Sequence, residues 1–190
     1  MLILLKRIHY NSPVILTFAL LSVGTLIAAE LTDMASTRLL FSVYRSSLLD
    51  PLFYVRLFCH VLGHVDWEHF FNNFLIILLV GPMLEMKYGS KNLLMMFAVT
   101  AFVTGVLNIL LFNTALLGAS GIVYMLIILS SFVNIREGSI PLTLLLVAAI
   151  YIGREVVTGL SVKDNISQLT HIAGGLCGLV FGFSAKETKK

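Results

Sequence analysis

Ser120 stands between glycines in Gly118-Ala119-Ser120-Gly121, inside a run from Asn92 to Ile135 that holds no Asp, Glu, Lys or Arg. A serine hydroxyl becomes a nucleophile when an adjacent base takes its proton. His171, which opens a second apolar stretch, is the candidate base. His69 and Asn73 are four residues apart and share one helix face. Both can donate hydrogen bonds. Two donors on one stripe suit an oxyanion hole, where loss of one donor costs about 10²–10³ in rate. If Ser120 begins a helix, its backbone N–H joins the free donors of the first turn. Tyr124 follows one turn later on the same face, where its ring could stack on the His171 imidazole. The combined chemistry would be acyl transfer by a serine–histidine dyad. No well-placed Asp or Glu offers a third member.

Each residue also has a plainer explanation. A serine in this tetrapeptide can cap a helix or pack in a glycine-rich contact, and Tyr124 can simply pack. His171 can hydrogen-bond a neighbouring helix, although an ionisable residue inside a span is costly and functional by default. His60 and His64 are four apart, and with His69 they could in principle bind a metal. That HxxxH lacks the glutamate of the zinc-protease HExxH motif, because Val61 follows His60. Structural hydrogen bonding is the reading for His60 and His64, and no metal or other cofactor is implied.

Such a dyad must be held by the surrounding elements, and composition says what these are. Of 190 residues, 58% are hydrophobic and 12% charged, with a mean hydropathy of +0.95. Soluble domains carry roughly 25% charged residues. The chain is therefore read as an all-α, multi-pass membrane protein. Its net charge of +3 would suit nucleic acid. The basic residues are scattered over short loops and both termini, which suits topology signals better, so no nucleic-acid partner is expected. Cys59 and Cys177 lie in unrelated segments and read as free thiols.

Charge-free runs predict six transmembrane helices, at about 13–30, 69–85, 92–112, 120–134, 139–153 and 168–185, forming one domain over residues 1–190. The first resembles a signal peptide at its Lys6-Arg7 flank, but Ile27-Ala28-Ala29 is a poor cleavage site, so an uncleaved anchor is expected. A long, partly membrane-embedded first loop links the first two spans. Its apolar patch, Leu57 to Val65, is too short to cross and is expected in or on the interface. Tyr44, Tyr54 and Trp67 would suit an interfacial belt. Glu85 to Lys91 reads as a tight charged turn. Six spans place both termini on one side, with Lys6, Arg7, Lys87, Lys91, Arg136, Lys186, Lys189 and Lys190. Arg38, Arg45, Arg56, Arg154 and Lys163 lie on the other. That bias predicts cytoplasmic termini. Spans two, four and six then run inward from His69, Ser120 and His171, at similar depth near the outer face. From Ser120 to Asn134 is about 22 Å of helix, short of a hydrocarbon core of about 30 Å. Ser120 should therefore lie below the outer surface. Gly174, Gly178 and Gly182 recur every four residues beyond His171, a spacing that lets membrane helices approach closely.

Together the motifs resemble the rhomboid intramembrane serine proteases. They are HxxxHxxxxHxxxN (His60, His64, His69, Asn73), ExKxGS (Glu85 to Ser90), GASGxxY (Gly118 to Tyr124) and HxxGxxxG (His171 to Gly178). The resemblance covers about Arg56 to Gly182 in the family's order. Val55 stands where the family has the tryptophan of its Trp-Arg pair, and Thr170 where it has alanine. The resemblance implies a compact six-helix form with Ser120 as nucleophile and His171 as base. It implies His69, Asn73 and the Ser120 N–H as oxyanion hole, with Tyr124, Gly118 and Gly121 in support. Its implied partners are transmembrane protein substrates and the lipid bilayer, in a multi-pass protein of the cell membrane. The competing function is a non-catalytic protein on the same scaffold that binds membrane helices. A small transporter would instead need polar residues near mid-membrane.

Overall fold

The computed structural model describes residues 9–132, part of 142–157, and 166–184. The described chain is helical, with a single isolated antiparallel bridge between Val43 and Leu116. Helix α1 is Pro13–Leu31, α2 Ala35–Leu40, α3 Pro51–Cys59, α4 Trp67–Tyr88, α5 Ser90–Leu111, α6 Ser120–Ser130 and α7 Ile166–Ser184, with a 3₁₀ turn at His60–Leu62. Among the described residues, α1, α4 and α5 are each long and apolar enough to cross a membrane. The protein is thus a multi-pass integral membrane protein. Of the fifth expected span, 139–153, eight positions are described, all helical, and the other seven lie outside the described residues.

Local chemistry sets the helix ends. Pro13 opens α1, where a missing N–H costs nothing. The Asp66 carboxylate accepts from the His69 N–H at 2.7 Å and caps α4, with Glu68 in the first turn. The expected turn over Glu85–Lys91 narrows to a single residue. Helix α4 continues through Tyr88, and Gly89 alone separates it from α5. Gly89 has φ +81°, which glycine adopts without strain. Glu85 and Lys87 do not break the helix because each is satisfied by a distant segment. Buried Glu85 accepts from the Val14 and Ile15 N–H groups at 3.0 and 3.1 Å and from the Ser90 hydroxyl at 2.7 Å. It thereby caps the N-terminus of α1. The Lys87 ammonium donates to the Phe132 carbonyl at 2.8 Å.

Helix α6 is the centre of the bundle. Eight of its 11 residues are buried, as a helix apolar on every face should be. At 1.5 Å per residue it is about 16 Å long, roughly half a bilayer core. It ends at Ser130 rather than at 134, followed by a turn at Ser131 and Phe132. Helix α7 lies against it along the glycine stripe. A Cβ on Gly174 would fall 2.1 Å from the Gly121 carbonyl oxygen, and one on Gly178 2.5 Å from that of Met125. Such backbone contact is what small residues permit in lipid.

The first loop folds inward more than its hydropathy suggested. Leu57, His60, Val61 and His64 are buried, whereas Phe58 and Val65 remain exposed. Arg56, buried, pairs with Asp50 at 2.6 Å, donates to Ser46 Oγ at 2.8 Å and covers the Tyr44 ring at 4.6 Å. The guanidinium holds the Asp50 carboxyl below its ordinary range. Val43 and Leu116 exchange two backbone hydrogen bonds of 2.9 Å, tying this loop to the segment before Ser120. The Asn108 amide donates to the carbonyls of Val43 and Thr114 and braces that joint.

Candidate active site

Ser120 is the first residue of α6, preceded by Gly118 at φ +120°. Gly118 is needed twice over. Its backbone conformation disfavours a side chain, and a Cβ there would meet the His69 ring at 2.7 Å. Its N–H donates to the His60 carbonyl at 3.0 Å, so the first loop holds the approach to Ser120. Gly121 sits where a Cβ would meet Thr104 at 3.1 Å and Thr170 at 3.3 Å. The crossing at Gly121 and Gly174 brings the start of α6 beside the turn of α7 that carries His171.

The Tyr124 and His171 rings are stacked, with centroids 4.2 Å apart and planes 7° from parallel. This is the contact expected from the placement of Tyr124 one turn beyond Ser120. His69, Asn73, Ser120, Tyr124 and His171 all line one cavity of about 430 Å³, with Asn72, Leu116 and Leu117 among its other walls. Spacing had placed these residues at one depth; the structure puts them around one space. A second cavity, about 460 Å³ between α1, α3 and α5, contains none of them and has an almost wholly apolar wall.

His60 and His64 serve the frame. His60 Nδ1 is 3.2 Å from the Arg56 carbonyl and its Nε2 3.4 Å from Thr104 Oγ1. His64 Nδ1 is 3.2 Å from the Leu62 carbonyl, and its Nε2 3.2 Å from Asn73 Nδ2. The His69 ring lies edge-on to that of His64, with centroids 5.0 Å apart. Among the described residues no group of three His, Cys, Asp or Glu side chains gathers as a metal site. Sequence reading missed the bond from His64 to Asn73 and the bracing by Asn108. The signal for Asn108 was an amide inside a run without charge.

Burial pushes the imidazoles of both His60 and His64 down to about 4, from an ordinary 6.5. For His64, the nearby His69 pushes the same way. The sign follows from proton uptake. Between pH 6.5 and 4 the unfolded chain protonates these histidines and the folded one does not, so stability present above pH 6.5 is lost as pH falls toward 4. The melting temperature in detergent should drop across that window and then flatten with respect to these two groups. A melting temperature constant from about pH 7 to 4 would show that neither histidine is buried in its neutral form.

The fold and this cavity define a helical membrane protein with a polar site built at the start of a half-length central helix. Residues 52–187 match the Rhomboid domain, and the chain belongs to that family. It is 26% identical over 141 residues to the Rhomboid protease GlpG of Haemophilus influenzae, a stretch covering 71% of each chain.

Proposed function

We propose that this protein is an intramembrane serine protease that hydrolyses a peptide bond in or near the transmembrane segment of membrane-protein substrates. The observation that carries the reading is the single cavity lined by Ser120, His171, His69 and Asn73. Membership of the rhomboid family and similarity to a rhomboid protease support it. Ser120 Oγ attacks the scissile carbonyl as His171 takes its proton. The tetrahedral oxyanion is met by His69, Asn73 and the Ser120 N–H. His171 then protonates the leaving amine, and water hydrolyses the acyl-enzyme by the same route. Tyr124 keeps the His171 ring in one plane, while Gly118 and Gly121 let neighbouring groups approach.

In this reading the chain is one six-span transmembrane domain with cytoplasmic termini, and Ser120 opens toward the outer side. A regular helix hides its own peptide bonds in internal hydrogen bonds. Substrates with helix-weakening residues near the outer face are therefore preferred.

A fluorophosphonate probe tests the assignment, because it reacts with activated serines and spares a non-catalytic binding protein. Labelling at Ser120 is expected. A folded, purified protein that stays unlabelled would favour the binding role. His69→Ala and Asn73→Ala should each lower kcat by about tenfold to a thousandfold with little change in KM, since oxyanion donors act in the transition state. A raised KM with kcat intact would remove that residue from the oxyanion hole.

A further inference from the structure

We infer that His64 is a positioning residue for the oxyanion hole: it dictates which end of the Asn73 amide occupies the site. The inference rests on the proposed oxyanion role of Asn73 and adds a residue that never touches substrate. The hydrogen-bond chain has one consistent reading. The Leu62 carbonyl, 3.2 Å from His64 Nδ1, can only accept, so Nδ1 carries the ring proton. In the neutral ring Nε2 then holds a lone pair. It must receive a donor, and the group 3.2 Å away is the Asn73 amide. Nδ2 therefore faces His64, and its second proton is left to donate. A flipped amide would set Oδ1 against the ring lone pair and put an acceptor where the oxyanion needs a donor.

The setting favours this neutral form. His64 is fully buried and Asn73 nearly so. The His64 ring is packed edge-on to Phe70 at 5.5 Å and tilted against Phe74 at 5.7 Å, so little freedom remains for it to turn. Burial holds its proton affinity low, at about 4. Cap and positioner also come from one short stretch. Asp66 caps α4 through His69 N, and His64, two residues earlier, reaches Asn73 one turn beyond His69.

A double-mutant cycle tests this, read as kcat and KM on a transmembrane peptide substrate in detergent. His64→Phe keeps a flat ring and removes both ring nitrogens. It should lower kcat by about tenfold to a hundredfold with KM within about twofold, since the loss is confined to the transition state. His64→Gln, whose amide can both donate and accept, should recover most of that loss. In an Asn73→Ala background, His64→Phe should add less than about twofold, because the two act as one unit. Multiplying effects in the double variant, with Asn73→Ala itself impaired, would overturn the positioning role and leave the oxyanion reading standing. Wild-type kcat in Asn73→Ala would overturn both. If His64→Phe does not fold, His64→Leu takes its place in the same cycle with the same outcomes.

Discussion

Ser120→Ala is expected to abolish cleavage of transmembrane substrates and to leave a folded protein with an unchanged melting temperature. The two halves of that expectation have separate causes. Activity goes because the hydroxyl is the only proposed atom that bonds to substrate, and the donors around it cannot replace a nucleophile. Stability stays because the start of α6 does not depend on that hydroxyl. The N-cap is Ala119, without a side-chain cap bond, and the helix is held by eight buried residues. Alanine is also a better helix former than serine, by a few tenths of a kcal/mol. Thermal melting and a substrate-cleavage assay on the same purified sample measure both halves. Residual proteolysis by contaminant-free Ser120→Ala protein would remove Ser120 as nucleophile. Loss of folding along with activity would mean that the residue's role is structural.

Gly178→Val should abolish the proposed proteolysis without altering any of the proposed reacting atoms. A Cβ at Gly178 would lie 2.5 Å from the Met125 carbonyl oxygen and 3.0 Å from Ile128 Cβ. The first of these is backbone in the most buried helix, which cannot swing aside as a flexible side chain would. Helix α7 must move away from α6 instead, carrying His171 from Ser120 and opening the Tyr124–His171 stack. A displacement of 1 Å at a catalytic group can cost about 10²-fold. The separation also forfeits the van der Waals packing that joins helices in lipid. Turnover and melting temperature should therefore fall together. Gly175→Ala is the matching control on the same helix. Among the described residues its Cβ would meet only Ile128 Cγ1, at an ordinary 3.6 Å, and near-normal activity is expected. A Gly178→Val protein with normal melting and turnover would show that the stripe does not hold α7 against α6.

The sequence by itself determined the class of molecule, the starts of α1, α4, α5, α6 and α7 to within two residues, and the pairing of Ser120 with Tyr124 on one face. It also marked the glycines of α7 as a close-contact stripe. These properties are written locally. Hydropathy along about 20 residues reports a span, and a repeat of four reports a helix face. What only the tertiary structure decided are the bonds between distant segments. Glu85 read as part of a charged turn because only one of its partners, Ser90, is near it in sequence. The other two are the N–H groups of Val14 and Ile15, 71 and 70 positions away. The bridge from Val43 to Leu116 and its brace at Asn108 leave no periodic trace, since a single backbone pair needs no particular side chain. The length of α6 was decided the same way: apolar residues continue to Val133, but the helix gives way to a turn at Ser131 and Phe132, where the latter's carbonyl accepts Lys87. His64 shows the division most clearly. Its type and its spacing from His69 were visible, yet its task depends on Asn73 Nδ2 standing 3.2 Å from its free nitrogen, and that distance exists only once the first loop has folded against α4.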